Sequence, residues 1–285
     1  MEQATIVIEQ NAAYHARREY INKSRLSKMS VCPRYFKWYE DNQQEPSADL
    51  IFGSAFHKLV LEQSTFDDEV AVMPTIDRRT KAGREMYQDF VEKNQGKYII
   101  TDEQYDTIRA MRDSINENVY ARKLLRGNVE QSIYFADEPT GVLCKCRPDV
   151  WRKVVTEDGE IRYAIIDLKS CRSAVTSDFS RDVVKYGYDL QTYMCRLGLS
   201  LALNVPIDNI DFFFVAVEKT APYLVNLQQA DETVLKRGEA IFREYIGKYK
   251  YCIDTNNWYS YNGEHGIINT VGVPSWLTNT DTDNE

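Results

Sequence analysis

Two short stretches of the chain place acidic side chains and a lysine at the ends of expected strands. Asp149 follows Arg147-Pro148 after one apolar stretch, and Asp167 and Lys169 lie two residues apart at the end of another. Because side chains of a strand alternate between its faces, Asp167 and Lys169 should project from the same face. A hairpin between the two strands would then bring Asp149 beside Asp167. We therefore expect two carboxylates and one amine in a small volume.

This grouping of side chains suits the hydrolysis of a phosphodiester. Carboxylates are typical ligands of Mg²⁺ or Mn²⁺, and such a cation polarises the phosphodiester and stabilises the charge that develops during attack by water. A lysine beside the cation can orient or deprotonate the attacking water. An Asp-x-Lys triplet alone is more often a solvated strand end, so the interpretation depends on the acidic residue that precedes it at hairpin distance.

The elements that must position these residues are predicted from hydrophobic periodicity. Helices are expected at 14–40, after Gly53, at 102–125, at 190–203 and at 231–251. Strands are expected at 129–135, 141–151, 163–168 and 210–217, with a hairpin turn at 157–160. Between the third strand and the helix at 190 we expect a polar loop. This order predicts an α/β fold with a mixed central β-sheet flanked by helices.

The composition is that of a soluble globular protein, with 43% apolar and 27% charged residues in 285. We expect one domain over residues 1–260, with a helical N-terminal part (1–125) and a catalytic sheet (126–220), and a polar tail at 261–285 that is partly disordered. No stretch reaches the roughly 18 apolar residues of a membrane span, and the N-terminus lacks a secretory signal. We therefore expect a cytoplasmic protein with no membrane partner and with six free cysteine thiols.

Other chemistries lack their sequence signatures. No Walker-type phosphate loop is present, so an ATP-driven motor is not expected, and no Ser or Cys stands in a nucleophile-elbow context. A cysteine quartet for an iron–sulfur cluster is also missing. The formal net charge of −8 is unfavourable for coating DNA, because affinity for phosphates comes largely from Lys and Arg. It is compatible with a protein that engages DNA in one groove or channel.

Two basic segments could contact DNA. The segment at residues 77–84 contains a glycine, Gly83, that could allow close approach to a phosphate backbone, and four cations: Arg78, Arg79, Lys81 and Arg84. The segment from Arg25 to Tyr39 interleaves basic and aromatic residues, which could stack on an unpaired base or line the entry of a duplex. A solvated charge run and core packing of the aromatic side chains are the respective alternatives.

These features together resemble a known group of nucleases. Pro148-Asp149 and Asp167-Leu168-Lys169 resemble the PD-(D/E)xK motif, with Asp at the position where Glu is commoner. Residues 52–62 are similar to the Gly-x-x-x-His helix of RecB-like nucleases. The basic segment at 77–84 is typical of phage and prophage exonucleases of the exonuclease VIII (RecE) type, and residues 188–191 resemble the helix that follows their active-site strands. The resemblance extends in the same order from about residue 26 to residue 214.

The resemblance implies a role for each matching residue. Asp149 and Asp167 would be catalytic metal ligands and Lys169 the catalytic lysine. His57 and the backbone carbonyl of Leu168 would complete the shell of Mg²⁺ or Mn²⁺, and the imidazole favours Mn²⁺ somewhat. Gln191 would be a further catalytic residue, and the four cations of the basic segment would contact DNA.

The late helix departs from the pattern of the wider family, which often has a tyrosine four residues after the glutamine. Here that position is Cys195, and Tyr193 falls on a different face of the helix. Tyr188, three residues before Gln191, could take over the contact with DNA. Core or surface packing is the alternative interpretation of both tyrosines.

The resemblance further implies a restriction-endonuclease-like fold and an exodeoxyribonuclease that digests linear double-stranded DNA, 5′ to 3′, in phage-type recombination. A single-strand annealing protein would be a partner, a ring-shaped homo-oligomer is a further expectation, and the compartment would be a bacterial or phage-infected cytoplasm. The Asp in place of Glu and the altered tyrosine position leave a different class open: a nuclease-fold protein that binds DNA or a partner protein and cuts weakly or not at all.

Overall fold

The structure is a computed structural model of the chain, and it describes residues 4–42 and 44–274. In chain order its strands are β1 (Thr5–Val7), β2 (Val70–Met73), β3 (Tyr98–Thr101), β4 (Asn128–Val129), β5 (Ser132–Ala136), β6 (Leu143–Cys146), β7 (Val150–Val155), β8 (Ile161–Cys171), β9 (Ile210–Glu218) and β10 (Val225–Gln229). Its α-helices are α1 (Asn11–Ala16), α2 (Lys23–Leu26), α3 (Pro33–Asp41), α4 (Ala48–Leu61), α5 (Phe66–Glu69), α6 (Lys81–Lys93), α7 (Asp102–Glu117), α8 (Val119–Leu124), α9 (Thr176–Lys185), α10 (Tyr188–Leu203) and α11 (Glu232–Thr255).

The largest sheet has five strands in the order β10-β9-β8-β7-β4. β8 and β9 are parallel, with Ile166 opposite Phe213, whereas the other neighbouring strands are antiparallel. α9 and α10 connect the parallel pair, because parallel neighbours need a crossover of roughly a dozen or more residues. Two smaller sheets contain β1-β5-β6 and β2-β3. The predicted α/β fold with a mixed central sheet flanked by helices is confirmed.

Helices cover both faces of the central sheet. On one face, Ile165 and Phe214 pack in an apolar cluster with residues of α9, α10 and α11. On the other face, Ile166 and Leu168 pack with residues of α4 and α7. Burying each of these large side chains contributes about 1.5–3 kcal/mol relative to leaving it exposed. Alternate residues of β8 therefore point into two different helical layers, and this alternation decides which helix each side chain can contact.

The chain between residues 128 and 155 differs from the expected meander. The expected strand at 129–135 is divided into β4 and β5, and the one at 141–151 into β6 and β7, and each break moves the chain from one sheet to another. Glu130 has a positive φ of 48° at the first break, and Pro148 at the second has no amide hydrogen for strand pairing. The turn at 157–160 is confirmed, with Gly159 at a φ of +84°.

Two of the expected helices are also divided. Residues 14–40 overlap α1, α2 and α3, which are separated by turns. Pro33 begins α3 because the first turn of a helix needs no amide donor there. Residues 102–125 are divided at Asn118, whose side chain accepts hydrogen bonds from the first amides of α8. The expected polar loop contains α9. The predictions at 190–203, 210–217 and 231–251 are confirmed as α10, β9 and α11.

Beyond α11, the described residues 256–274 contain neither helix nor strand, in agreement with their polar, aperiodic sequence. The last part of the expected tail, from residue 275, lies outside the described residues. Among the helices that the structure describes, none has the length and apolarity needed to cross a membrane. The six cysteines are buried free thiols, as predicted.

Candidate active site

Strand register brings Asp149 beside Asp167. Val150, the first residue of β7, pairs with Ile166 of β8 in antiparallel register, so Asp149 lies opposite Asp167. The backbone pairing of β7 with β8 ends at this point. Beyond it, the side chain of Asp149 binds β8 instead, because Oδ2 accepts a hydrogen bond of 2.6 Å from the amide of Leu168. Both aspartates are buried. The two acids therefore lie where the two strands part.

Asp167 forms a network with Lys169 and Gln191. Lys169 Nζ lies 2.6 Å from Asp167 Oδ2, and Gln191 Nε2 donates a hydrogen bond of 2.7 Å to Asp167 Oδ1. Lys169 Nζ also donates to Gln191 Oε1 at 3.3 Å. Gln191 belongs to α10, which covers the face of β8 from which Asp167 and Lys169 project. Four residues predicted as catalytic, Asp149 included, are thus brought together by one strand pair and one helix.

His57 reaches the acids from the opposite helical layer. It lies on α4, which begins at the Ser47 cap and buries Phe52, Phe56 and Leu59 against the sheet. His57 Nδ1 is 3.5 Å from Asp149 Oδ1. Burial lowers the pKa of His57, but the Asp149 carboxylate outweighs burial and raises this pKa to about 9. Without a cation the imidazole is therefore protonated and paired with Asp149.

Glu130 is a third carboxylate at this site, and sequence reasoning missed it. Ligand atoms of His57, Glu130 and Asp149 lie within 4.8 Å of one another, a grouping that could hold a metal ion. The amide of Glu130 donates to the Asp149 carbonyl at 3.0 Å, and Arg147 Nε donates to Glu130 Oε2 at 2.8 Å. Asp167 is outside this grouping. The one available signal was the polar pair Glu130-Gln131 inside an otherwise apolar stretch.

The titration of these groups reflects their burial. Burial, followed by the nearby Asp149 carboxylate, raises the pKa of Glu130 to about 7. Burial also raises the pKa of Asp167 and outweighs the Lys169 ammonium. Burial alone would raise the pKa of Asp149, but His57 and Lys169 together hold it below its ordinary value. Burial would lower the pKa of Lys169, and Asp167 and Asp149 instead hold it above its ordinary value.

The arrangement fits a divalent cation. Asp167 Oδ2, although close to the Lys169 ammonium, is buried without a well-oriented hydrogen bond, and an unsatisfied buried carboxylate oxygen destabilises a protein. The raised pKa values of Glu130 and Asp167 have the same origin, since the buried negative charge is only partly compensated. Carboxylates with one imidazole are a donor set suited to Mg²⁺ or Mn²⁺.

A second lysine reaches the same site from the N-terminal segment. Lys23, the first residue of α2, donates from Nζ to the carbonyl of Tyr186 at 2.6 Å. Lys169 Nζ and Lys23 Nζ lie 4.7 Å and 5.6 Å from the centroid of the Tyr188 ring. Burial, followed by the Lys169 ammonium, lowers the pKa of Lys23 to about 8. Sequence reasoning did not single out Lys23, because the basic N-terminal segment offers several equivalent candidates.

Of the aromatic candidates on α10, Tyr188 lies beside Lys169, whereas Tyr193 lies elsewhere. The hydroxyl of Tyr193 accepts a hydrogen bond of 2.9 Å from Arg243 Nη2. Cys195, at the position of the family's tyrosine, is buried in the core. Tyr188 and Gln191 are one helical turn apart and both contact the side chain of Lys169. Tyr188 is therefore placed at the site by the same helix that positions Gln191.

The cations predicted to contact DNA lie around the start of α6, a helix in which only Gly83 is buried. Their contacts are local: Arg79 Nε pairs with Asp77 at 2.9 Å, Arg78 lies 4.0 Å from the Tyr87 ring centroid, Lys81 lies 3.8 Å from Glu85, and Arg84 donates to the Arg79 carbonyl at 3.0 Å. None of these contacts joins the four cations to the network around Asp167.

Gly83 has a structural role in the turn that begins α6. A Cβ atom at this position would lie 2.0 Å from the backbone oxygen of Asp77. The loop's own backbone therefore occupies the space beside Gly83. Thr80 caps the helix by accepting from the Gly83 amide at 2.9 Å, so the glycine is required by the close turn that begins α6.

Comparison with known proteins places the geometry in a wider context. The profile of a family described as PDDEXK-like domain of unknown function (DUF3799) matches residues 23–269. Among solved structures, the chain is similar to the crystal structure of a candidate exonuclease from Eubacterium rectale, with a TM-score of 0.63 and 14% identity over 97% of this chain and 100% of that chain. At this identity the similarity concerns the fold alone. No curated protein sequence matches the chain.

Proposed function

The chain belongs to the PDDEXK-like family, and from this premise we propose that it is a metal-dependent exodeoxyribonuclease that hydrolyses linear double-stranded DNA from its ends. The observation that carries the proposal is the grouping of two buried acids, Asp149 and Asp167, with the half-buried Lys169 where two paired strands part. This grouping combines acidic donors for a cation with a fixed ammonium, which is the chemistry that phosphodiester hydrolysis requires.

The donors for Mg²⁺ or Mn²⁺ would be Asp149, Asp167, His57 and the carbonyl of Leu168, with Glu130 as a further donor. When bound, the cation would supply charge stabilisation at the phosphodiester. The hydrogen bond from the Leu168 amide fixes Asp149 Oδ2, and Gln191 fixes Asp167 Oδ1. One oxygen of each acid is thus held by a hydrogen-bond donor, and the other oxygen lies near His57 in Asp149 and near Lys169 in Asp167. Loss of the proton from His57 would free its nitrogen as a ligand.

Lys169 acts in this proposal as an ammonium. Its pKa is held above the ordinary value by Asp167 and Asp149 although burial opposes this, so it retains its proton at neutral pH. The charge orients the attacking water and stabilises the negative charge that develops on the phosphate. Gln191 Oε1 and the ring of Tyr188 hold the ammonium in place.

Finer parts of the proposal rest on the resemblance to exonuclease VIII (RecE)-type enzymes. We propose digestion from 5′ to 3′, a role in phage-type recombination, and a single-strand annealing protein as partner. A ring-shaped homo-oligomer, a cytoplasmic location and a single nuclease domain over residues 1–260 belong to the same proposal. The exposed cations Arg78, Arg79, Lys81 and Arg84 would contact the DNA backbone outside the metal site.

End-labelled linear and circular duplex DNA, incubated with the protein and Mg²⁺ or Mn²⁺, tests the activity. We expect loss of linear duplex from its ends, no digestion of closed circles, and complete inhibition by a chelator. Asp167→Ala and Lys169→Ala should abolish cleavage. The matched controls are Asp106→Ala and Lys236→Ala, whose side chains are 76% and 74% exposed, and these should cleave like the parent.

The outcomes separate the possible interpretations. Digestion by Asp167→Ala and Lys169→Ala at the parental rate would show that the site is elsewhere. Binding of DNA by the parent without cleavage under any divalent cation would favour a protein that binds without cutting. Digestion of closed circles at the same rate as linear DNA would contradict an exonuclease and favour an endonuclease.

A further inference from the structure

A polar cavity lies beside the N-terminal segment, and none of the residues assigned to the metal site lines it. Its volume is about 280 Å³. The side chains that matter for its chemistry are Arg18, Arg25, Tyr39, Glu40, Gln44 and Lys145. The cavity thus offers basic groups, one carboxylate, an aromatic ring and an amide within one small volume.

The cavity has an excess of positive charge, in contrast to the chain's net charge of −8. Arg25 Nη2 and Arg18 Nη2 lie 2.6 Å and 3.3 Å from the single carboxylate, Glu40 Oε2. Lys145 is buried, and its Nζ donates to two backbone carbonyls at 2.5 Å and 2.7 Å. Two arginines therefore share one acid, while the charge of Lys145 is held by neutral acceptors.

The titration of neighbouring groups agrees with a positive field. Burial, followed by the Arg25 guanidinium, lowers the pKa of Lys145 to about 8. Burial, followed by the charges of Lys145 and Arg147, lowers the pKa of His15. An anion entering the cavity would therefore meet a favourable potential.

The cavity is close to the metal site along the chain. Lys145, Arg147 and Asp149 are two residues apart, on β6 and its continuation. The Cα atoms of Lys145 and Asp149 can be separated by no more than about 14 Å, since an extended chain spans at most ~3.6 Å per residue. One strand of B-form DNA rises about 3.4 Å per nucleotide. This upper limit corresponds to the length of about four nucleotides of such a strand.

Two basic residues near the metal site, Arg147 and Lys23, are close in sequence to residues that line the cavity. Arg147 has a side chain that is 8% exposed, and its Nη1 is buried without a hydrogen-bond partner while Nε binds Glu130. Asn22 lines the cavity, and the next residue, Lys23, lies beside Lys169. Arg147 and Lys23 therefore join the two sites along the chain.

We propose that this cavity is a subsite for one nucleotide of the DNA strand, with Arg18 contacting the phosphate and Tyr39 and Gln44 contacting the base. The inference rests on the proposed function, because the strand is the one that enters the metal site. A basic groove combined with an aromatic side chain is the usual means of holding single-stranded nucleic acid. Arg18 is the best placed of the cations, since its side chain is 64% exposed.

Binding of a short fluorescent single-stranded DNA in the presence of a chelator tests the subsite without any contribution from a metal. Arg18→Gln should weaken binding about threefold to tenfold at low salt, and should reduce the slope of log K against log salt by about 0.7. Folding should persist, because Arg25 still pairs with Glu40. Gln44→Ala should weaken binding without changing the salt slope. The control is Arg181→Gln, which removes a similarly exposed arginine, paired with Asp178 at 3.3 Å.

Parental affinity and parental salt slope in Arg18→Gln, together with parental affinity in Gln44→Ala, would overturn the proposal. Equal weakening by Arg18→Gln and Arg181→Gln would also overturn it, since it would show only a general charge effect. Failure of the proposed subsite can be distinguished from failure of the proposed function. Loss of cleavage in Asp167→Ala with parental DNA binding in Arg18→Gln refutes the subsite alone, whereas cleavage by Asp167→Ala with weakened binding in Arg18→Gln refutes the metal site alone.

Discussion

Replacing Glu130 by glutamine should stabilise the metal-free protein above neutral pH. Glu130 is partly buried beside the Asp149 carboxylate, with 18% of its side chain exposed, and its pKa is raised from an ordinary 4.5 to about 7. Glutamine has nearly the same shape and retains an oxygen that can accept from Arg147 Nε. The substitution therefore removes a partly buried negative charge and keeps the hydrogen bond that positions the side chain.

The sign and size of the effect follow from proton linkage. The folded protein holds the proton of Glu130 up to about pH 7, whereas the unfolded chain releases it near pH 4.5. The free energy of unfolding therefore falls as the pH rises between these values. The whole loss of stability is present above about pH 7. This difference between the two pKa values corresponds to an upper limit of about 3.4 kcal/mol in the free energy of unfolding. Because Asp149 and His57 share the interaction, we expect on the order of 1–3 kcal/mol at pH 8.

Urea unfolding in the presence of a chelator measures this effect. Glu130→Gln should be more stable than the parent by that amount at pH 8, and by less than about 1 kcal/mol at pH 5. Adding Mn²⁺ should stabilise the parent more than the variant, since the variant lacks one anionic donor. Glu138→Gln, at an exposed position, is the control and should show no pH-dependent difference. A stability difference between Glu130→Gln and the parent that is the same at both pH values would refute the reasoning.

Three further predictions test other contacts. Tyr188→Phe retains the ring beside the Lys169 ammonium, so its cleavage rate should stay within about threefold of the parental rate. Tyr188→Leu should slow cleavage about tenfold, and single-turnover kinetics measure both rates. Arg78→Gln and Arg79→Gln should each weaken duplex binding and reduce its salt slope by up to about 0.9, and unchanged affinity across a salt series would exclude the contact. Gly198→Ala should destabilise the fold by about 1–3 kcal/mol, because its methyl would lie 2.8 Å from a buried phenylalanine ring. Gly247→Ala, with open space around it on α11, should stabilise by about 0.5–1 kcal/mol in the same thermal unfolding experiment, and equal effects of the two substitutions would contradict the packing argument.

The hairpin that carries the acids could be predicted because it depends on short-range patterns. Asp167 and Lys169 share a face through the two-residue period of a strand, and the turn at 157–160 is marked by a glycine that adopts positive φ. Asp149 then lies opposite Asp167 by register alone. The buried strand β9 was equally visible as a continuous apolar run.

The remaining features depend on contacts between distant parts of the chain. Glu130 joins the site only because the chain leaves one sheet and enters another around it, and neither periodicity nor propensity marks such a change. Lys23 is one of several basic residues in its segment, and only the packing of α2 near Tyr186 and Tyr188 selects it. The division of the long helix at Asn118 reflects a capping side chain, which pattern analysis treated as a helix interior.

The groups that surround Asp149 and Asp167 explain why these two acids alone were weak evidence for a catalytic site. Asp149 and Asp167 lie on the sheet, but the groups that control them come from both of its faces: His57 from α4 on one side and Gln191 from α10 on the other. A solvated strand end would need neither helix. Here the carboxylates are buried, and burial disfavours their charge unless cations and donors surround them. The two helical layers supply those groups. The same burial that raises the pKa of Asp167 therefore also favours the binding of a divalent cation beside it.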